Sequence, residues 1–254
     1  MSLSIQLYTV RKSLEEDLPG TIRRLAGIGF TQIEPYRFAA RAEELAQAME
    51  ENGMTAPSGH APLLAEDQDE ILSAAQRLGI GTVIDPHVPE ARWKDLESIR
   101  ETAAQLNAAA KKAAEYGLRV GYHNHWWEIE NPIEGRTPLE HLADHLDPEV
   151  VLEVDTYWAA VGGQDPVALL ARLGERVKFI HIKDGPITRE PSEQLPLGQG
   201  RMPVLDVIAA AKGLEAAVVE LDDFDGEMFE AVEQSFAFAS AHGAQKGHVQ
   251  EVQA

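Results

Sequence analysis

The chain contains no cysteine, which excludes disulfides, thiolate metal ligands and a cysteine nucleophile while leaving the redox compartment open. Positive charge is scarce: 22 Lys and Arg stand against 42 Asp and Glu, for a formal net charge of -20 at pH 7. Such a surface repels phosphate backbones and anionic lipid, so neither nucleic acid nor a membrane is an expected partner. Long apolar runs are missing too, and nothing approaches the ~20 residues of a membrane span. The opening Met1-Ser2-Leu3-Ser4-Ile5 has neither a basic leader nor a long apolar core, which makes a cytoplasmic location the expectation. A phosphate-binding glycine loop is also lacking after the first strand-like run, which continues Tyr8-Thr9-Val10-Arg11-Lys12. That argues against a doubly wound dinucleotide-binding sheet.

What the sequence does have is a regular alternation. Short β-rich runs recur at 5–8, 31–34, 55–58, 81–84, 118–121, 150–154, 177–182 and 216–221. Longer segments with helical spacing separate them; Leu96, Ile99, Ala103, Leu106 and Ala110 fall three or four apart and line one helical face. Several helices stop at a glycine shortly before the next strand, as at Gly29, Gly53, Gly79 and Gly117, where a left-handed cap is needed. Eight strand–helix units in 254 residues predict an α/β fold, a single (β/α)8 TIM barrel forming one domain over 1–254. The segment 243–254 lacks apolar periodicity and is expected to fray. Pro57 removes a ladder donor and would suit only an edge or a strand end, which makes the third strand the weakest of the eight.

In a barrel all strands end at one mouth, so polar residues at those ends converge. They include Glu34, His60, His87, His123 with His125, Asp155, His181 with Lys183, and Glu220 with Asp222. Imidazoles and carboxylates without sulfur suit one divalent ion such as Mn, Co, Fe or Zn. The expected ligands are His123, Asp155, His181 and Glu220, one from each of four successive strands. Glu34 serves either the site or an ion pair with Arg37. His60 and His87, in proline-flanked loops, are substrate-binding candidates. Trp126, Trp127 and Trp158 can stack on the C–H face of a sugar or pack as a lid or interface, and aromatic loops at the mouth would suit a homodimer. Lys183 either donates a proton or pairs with Asp184 or Glu220. The stretch 197–203 would serve as a mobile lid or, through Arg201, as an anion or substrate contact. His141 and His145, four apart on an outer helix, are not expected to form a zinc pair.

On His181-Ile182-Lys183-Asp184, Tyr122-His123-Asn124-His125 with Glu128, Val154-Asp155-Thr156 and Leu197-Gly198-Gln199-Gly200, nearly the whole chain resembles the sugar phosphate isomerase/epimerase family of xylose isomerase-like TIM barrels. Members of that family include inosose dehydratases, hydroxypyruvate isomerases, ketose 3-epimerases and dehydroshikimate dehydratases. The resemblance implies one divalent ion at the ends of strands five to eight, here His123, Asp155, His181 and Glu220. It implies a small carbohydrate or polyol-derived substrate, a polyhydroxy ketone or aldehyde, that loses a proton beside its carbonyl to give an enediolate. Glu220, Lys183 and His125 are the expected proton-moving groups. Isomerisation, epimerisation and dehydration all start from that step. Many epimerases carry Glu where His123 stands, which changes the charge around the ion. The related endonuclease branch has His where Trp158 stands, and the acidic balance also opposes it. Two rival readings stay open: a lyase acting on 3-keto-glycosides, and a non-catalytic sugar-binding or subunit protein.

Overall fold

The computed structural model describes residues 2–243, so all but Gly243 of the tail expected at 243–254 lies outside the described residues. Eight strands, β1 (Ser2–Gln6), β2 (Gln32–Glu34), β3 (Ser58–His60), β4 (Thr82–Asp85), β5 (Arg119–His123), β6 (Val151–Asp155), β7 (Val177–Ile182) and β8 (Ala216–Val219), are joined by α1 (Arg11–Glu16), α2 (Leu18–Ile28), α3 (Ala42–Glu51), α4 (Gln68–Leu78), α5 (Leu96–Glu115), α6 (Pro138–His145), α7 (Thr156–Val161), α8 (Pro166–Leu173) and α9 (Val204–Ala210), with α10 (Met228–Ala241) last. The strands form one parallel sheet in the order β2-β1-β8-β7-β6-β5-β4-β3. Its two end strands meet through the parallel bridges Gln32 with Thr55 and Tyr36 with His60, and His60 N donates to Pro35 O at 2.7 Å. The sheet therefore curls into a nearly closed (β/α)8 barrel. The third strand falls at Ser58–His60 instead of 55–58, because Pro57 has no amide to donate and only its carbonyl joins the ladder, accepting from Thr82 N at 3.1 Å.

Local signals explain where helices begin and end. The Asp67 side chain accepts from Asp69 N and Glu70 N at the start of α4, and Gly79 ends that helix at φ 68°, a left-handed value that a Cβ would disfavour. A reciprocal capping box between Thr137 and Glu140 opens α6, with Pro138 in its first turn. The apolar helix faces cover outward-pointing strand residues such as Ile5, Ile33, Val83, Val120, Leu152, Val154, Ile180 and Val219, all buried in the main core.

Because side chains alternate along a strand, every second residue points into the barrel. Ile84, Val151, Phe179, Ala216 and Val218 form a separate apolar plug there. A Cβ on Gly121 would lie 3.1 Å from Ile84 Cγ1 and 3.3 Å from Val151 Cγ2, so the glycine leaves room for both. Two residues further along the same strands the interior turns polar, with Glu153, Asp155 and His181 buried beside Gln6, Glu34, Ser58 and His60. Buried polar groups need partners, and those partners build the site. Among the described residues no helix is long and apolar enough to cross a membrane.

Candidate metal centre

Asp155 ends β6 and caps α7, its Oδ1 accepting from Trp158 N at 2.8 Å. Its backbone N donates to Asn124 Oδ1 at 3.1 Å, which ties the ends of β5 and β6 together. These bonds fix the carboxylate and leave Oδ2 buried without a hydrogen bond, 3.8 Å from His123 Nε2 and 2.9 Å from Lys183 Nζ. On the neighbouring strands His181 Nδ1 lies 2.6 Å from Glu220 Oε2. Asp155, His181 and Glu220 thus offer ligand atoms within 4.8 Å of one another. Donors around a four-coordinate ion with bonds of about 2.0–2.2 Å sit roughly 3–4 Å apart, so these three groups are spaced to hold a divalent ion, and His123 Nε2 lies 3.8 Å from one of them, Asp155 Oδ2.

A buried lysine sits among the carboxylates of this set. Lys183 is 1% exposed, and its Nζ lies 2.9 Å from Asp155 Oδ2, 2.7 Å from Glu220 Oε2 and 2.7 Å from Asp222 Oδ2. Burial works against its charge, but the Asp155, Asp222 and Glu220 carboxylates outweigh it and hold the ammonium pKa well above the ordinary value. Burial likewise opposes the Glu220 carboxylate, and Lys183 and His181 overcome it, keeping that group ionised. For Asp155 burial wins, raising its pKa to about 6. Burial and the neighbouring His181 push His123 down to about 3, so its imidazole is neutral, with a lone pair to offer. His125 is lowered by burial, His123 and Lys183 and is neutral as well. An incoming divalent ion would share Asp155 and Glu220 with Lys183.

A second cluster lies on the inward positions beside this set. Glu153 Oε2 is 2.5 Å from His60 Nε2 and 3.1 Å from both His123 Nδ1 and His181 Nε2. Glu34 does not pair with Arg37. Its Oε1 accepts from Gln6 Nε2 at 2.8 Å and lies 2.8 Å from His181 Nε2, while Ser58 Oγ donates to its Oε2. The difference follows from alternation, which turns Glu34 into the barrel, whereas Arg37 lies beyond the strand on the cavity wall. Sequence reading missed Glu153. The available signal was its i, i+2 relation to Asp155 in an otherwise apolar strand, which places both carboxylates on one face.

Above these clusters opens a cavity of about 610 Å³ whose lining includes His60, His87, His123, His125 and Glu220, all expected at the mouth. Tyr8 and Tyr36, which were not expected, also line it and meet edge to face at 5.4 Å. The tryptophans sit behind the wall. Trp158 is buried and packs on Trp126 at 4.8 Å, and Trp127 stacks under the His125 ring at 4.2 Å. Glu128, raised to about 8 by burial, accepts from Tyr122 Oη at 2.7 Å and from His125 N at 2.8 Å, so it holds the turn that carries His125. Asp184 does not pair with Lys183. It accepts from Gly185 N, Gly198 N, Gly200 N and Met202 N at 2.8, 2.8, 3.1 and 3.0 Å. The segment expected to be a mobile lid is therefore a tied loop. Arg201 is exposed and its amide donates to Gly185 O at 2.9 Å; it is not among the residues lining the cavity. His141 Nε2 lies 2.8 Å from Ile133 O, away from the mouth.

Known proteins resemble this arrangement at several levels. An inosose dehydratase of Clostridium tetani is 32% identical over 100 residues, 39% of this chain and 30% of that protein. The match thus spans under a third of the length of such curated relatives. A sugar phosphate isomerase/epimerase from Parabacteroides distasonis superposes with a TM-score of 0.81 at 24% identity, covering 94% of this chain and 93% of that one. The IOLI protein, solved with a binding zinc atom, superposes with a TM-score of 0.73 at 15% identity over 98% of this chain and all (100%) of its own; both likenesses concern the fold. A family model described as a xylose isomerase-like TIM barrel matches residues 22–238, and the chain belongs to that family.

Proposed function

We propose that this protein is a divalent-metal-dependent enzyme that removes a proton beside the carbonyl of a small polyhydroxy ketone or aldehyde, and so isomerises, epimerises or dehydrates it. The observation that carries this reading is the convergence of Asp155, His181 and Glu220 from three adjacent strands beneath a polar cavity, with His123 Nε2 on the next strand 3.8 Å from Asp155 Oδ2. These four residues would hold the ion. When bound, it supplies Lewis acidity that polarises the carbonyl and its neighbouring hydroxyl and stabilises the enediolate.

The chain's own groups do the rest. His125, on the cavity wall, is placed to accept a proton. Lys183, charged and held by three carboxylates, donates one to a developing oxyanion or a departing hydroxyl. Glu220, ionised beside Lys183, takes or returns a proton on the same face. The likeness to an inosose dehydratase favours dehydration, in which the enediolate expels a β-hydroxyl.

Incubation of the Mn²⁺-loaded protein in D₂O with inososes and ketohexoses tests this reading. Deuterium should enter at the carbon beside the carbonyl of at least one of them, and less so in His125→Gln. No exchange with any of them, although the ion is bound, would leave the sugar-binding reading ahead.

A further inference from the structure

We propose that the barrel interior contains a second cation position, in which His60 Nε2, His123 Nδ1, His181 Nε2 and Glu153 take a divalent ion that favours nitrogen donors, Zn²⁺ in preference to Mn²⁺. These four residues come from β3, β5, β6 and β7, are all buried, and bring ligand atoms within 4.8 Å of one another. Their arrangement is uneven for a hydrogen-bond network. Three ring nitrogens converge on one oxygen, Glu153 Oε2, at 2.5, 3.1 and 3.1 Å, whereas Glu153 Oε1 is buried with no partner at all. A carboxylate serving only as an acceptor would spread such donors over both oxygens. With Oε1 left over and the three rings within reach, the four side chains make a donor set of the kind an ion takes up.

The surroundings complete the site. Glu34 Oε1 lies 2.8 Å from His181 Nε2 and 3.3 Å from His60 Nε2, a fifth donor oriented by Gln6 and Ser58 in the way outer partners orient metal ligands. The ion pairs of Lys183 go to Asp155, Glu220 and Asp222. His60 and His123 line the cavity, which provides entry.

This position and the mouth set use opposite nitrogens of the same two rings. The mouth set takes His123 Nε2 and His181 Nδ1, and the inner one takes His123 Nδ1 and His181 Nε2. Filling both would require both rings to lose their last N–H, so the two positions compete for one ion. Donor type then decides between them. Three imidazoles suit Zn²⁺, and the carboxylate-rich mouth suits Mn²⁺.

The test is titration of the tag-free full chain with ZnCl₂ and, separately, MnCl₂, for wild type, His60→Gln, Glu153→Gln and Asp155→Asn. Circular dichroism checks that each variant is folded. His60→Gln is the primary variant because its side chain reaches the cavity wall, and Glu153→Gln is the confirming one. Both should weaken Zn²⁺ binding by about tenfold or more, and His60→Gln, which touches neither mouth nitrogen, should leave Mn²⁺ binding unchanged, while Asp155→Asn weakens Mn²⁺ and spares Zn²⁺. The Co²⁺ absorption spectrum of wild type should also change in His60→Gln. Unchanged Zn²⁺ affinity in both His60→Gln and Glu153→Gln overturns the inner position, as does loss of Zn²⁺ in Asp155→Asn alone or no Zn²⁺ binding to wild type. Loss of Zn²⁺ in the first two variants, with no Mn²⁺ binding to any protein, upholds the inner position and removes the mouth set instead.

Discussion

Lys183 shows how one residue can hold a site together before any ion arrives. It is paired with three carboxylates, Asp155, Glu220 and Asp222, and its removal leaves them mutually repelling, Asp155 and Glu220 while buried. Lys183→Met should therefore lower stability by about 3–5 kcal/mol in metal-free buffer, and added Mn²⁺ should raise its melting temperature more than that of wild type. Equal shifts in the two proteins would show that the lysine and the ion do not share ligands. Glu128 gives a prediction with a definite sign. Burial raises it from 4.5 to about 8, so between those values the folded protein keeps a proton that the unfolded chain releases. Its contribution is complete below about pH 4.5 and is lost as pH rises towards about 8. Glutamine does not titrate, so Glu128→Gln should gain stability relative to wild type on going from pH 5 to pH 8. Parallel unfolding curves at the two pH values would count against it. At this scale the sequence made the strand-end histidines and acids visible, because ligand-type residues stand out at the end of an apolar run. Glu153 was hidden, since an apolar run reads as buried on both faces and does not say which of its residues point inward.

Elements were legible where a local physical signal marks them. The positive φ of Gly29, Gly53, Gly79 and Gly117 matches the glycine stops expected from the sequence. The third strand moved by three residues because Pro57 can accept but not donate, and a proline states this only in general terms. The loop at 197–202 is the clearest failure of local reading. Its glycines resemble hinge residues, yet they are there because backbone must approach Asp184 closely. A Cβ on Gly200 would lie 2.2 Å from both Asp184 Oδ1 and Gly185 N. Gly200→Ala should then detach the loop, costing about 2–3 kcal/mol for bonds to a charged acceptor, with new proteolytic cleavage between 197 and 202. An unchanged melting temperature and digestion pattern would mean that the loop is as loose as its composition implies. By comparison, Thr137, which anchors only the cap of α6, illustrates a feature worth about 1 kcal/mol.

On the scale of the whole molecule, the barrel was readable because eight short β-rich runs alternate with longer segments of helical spacing. Its closing seam was not, since β2 and β3 touch only through isolated bridges. The convergence of the site is a product of topology: residues 32 apart in sequence, His123 and Asp155, stand 3.8 Å apart between Nε2 and Oδ2 because parallel strands all end at one mouth. An ion bound there stabilises the folded state alone. At about 100 times its dissociation constant it should add about 2.7 kcal/mol, which raises the melting temperature of a domain this size by roughly 5–10 °C, and a chelator should reverse the shift. The most direct measurement is the manganese content per chain after reconstitution and dialysis, for wild type and Asp155→Asn side by side. One ion per chain in wild type, falling to roughly a tenth or less in a variant that is still folded, is the result expected of a four-strand mouth site. Equal content in both proteins, or no retained manganese in wild type, would contradict it.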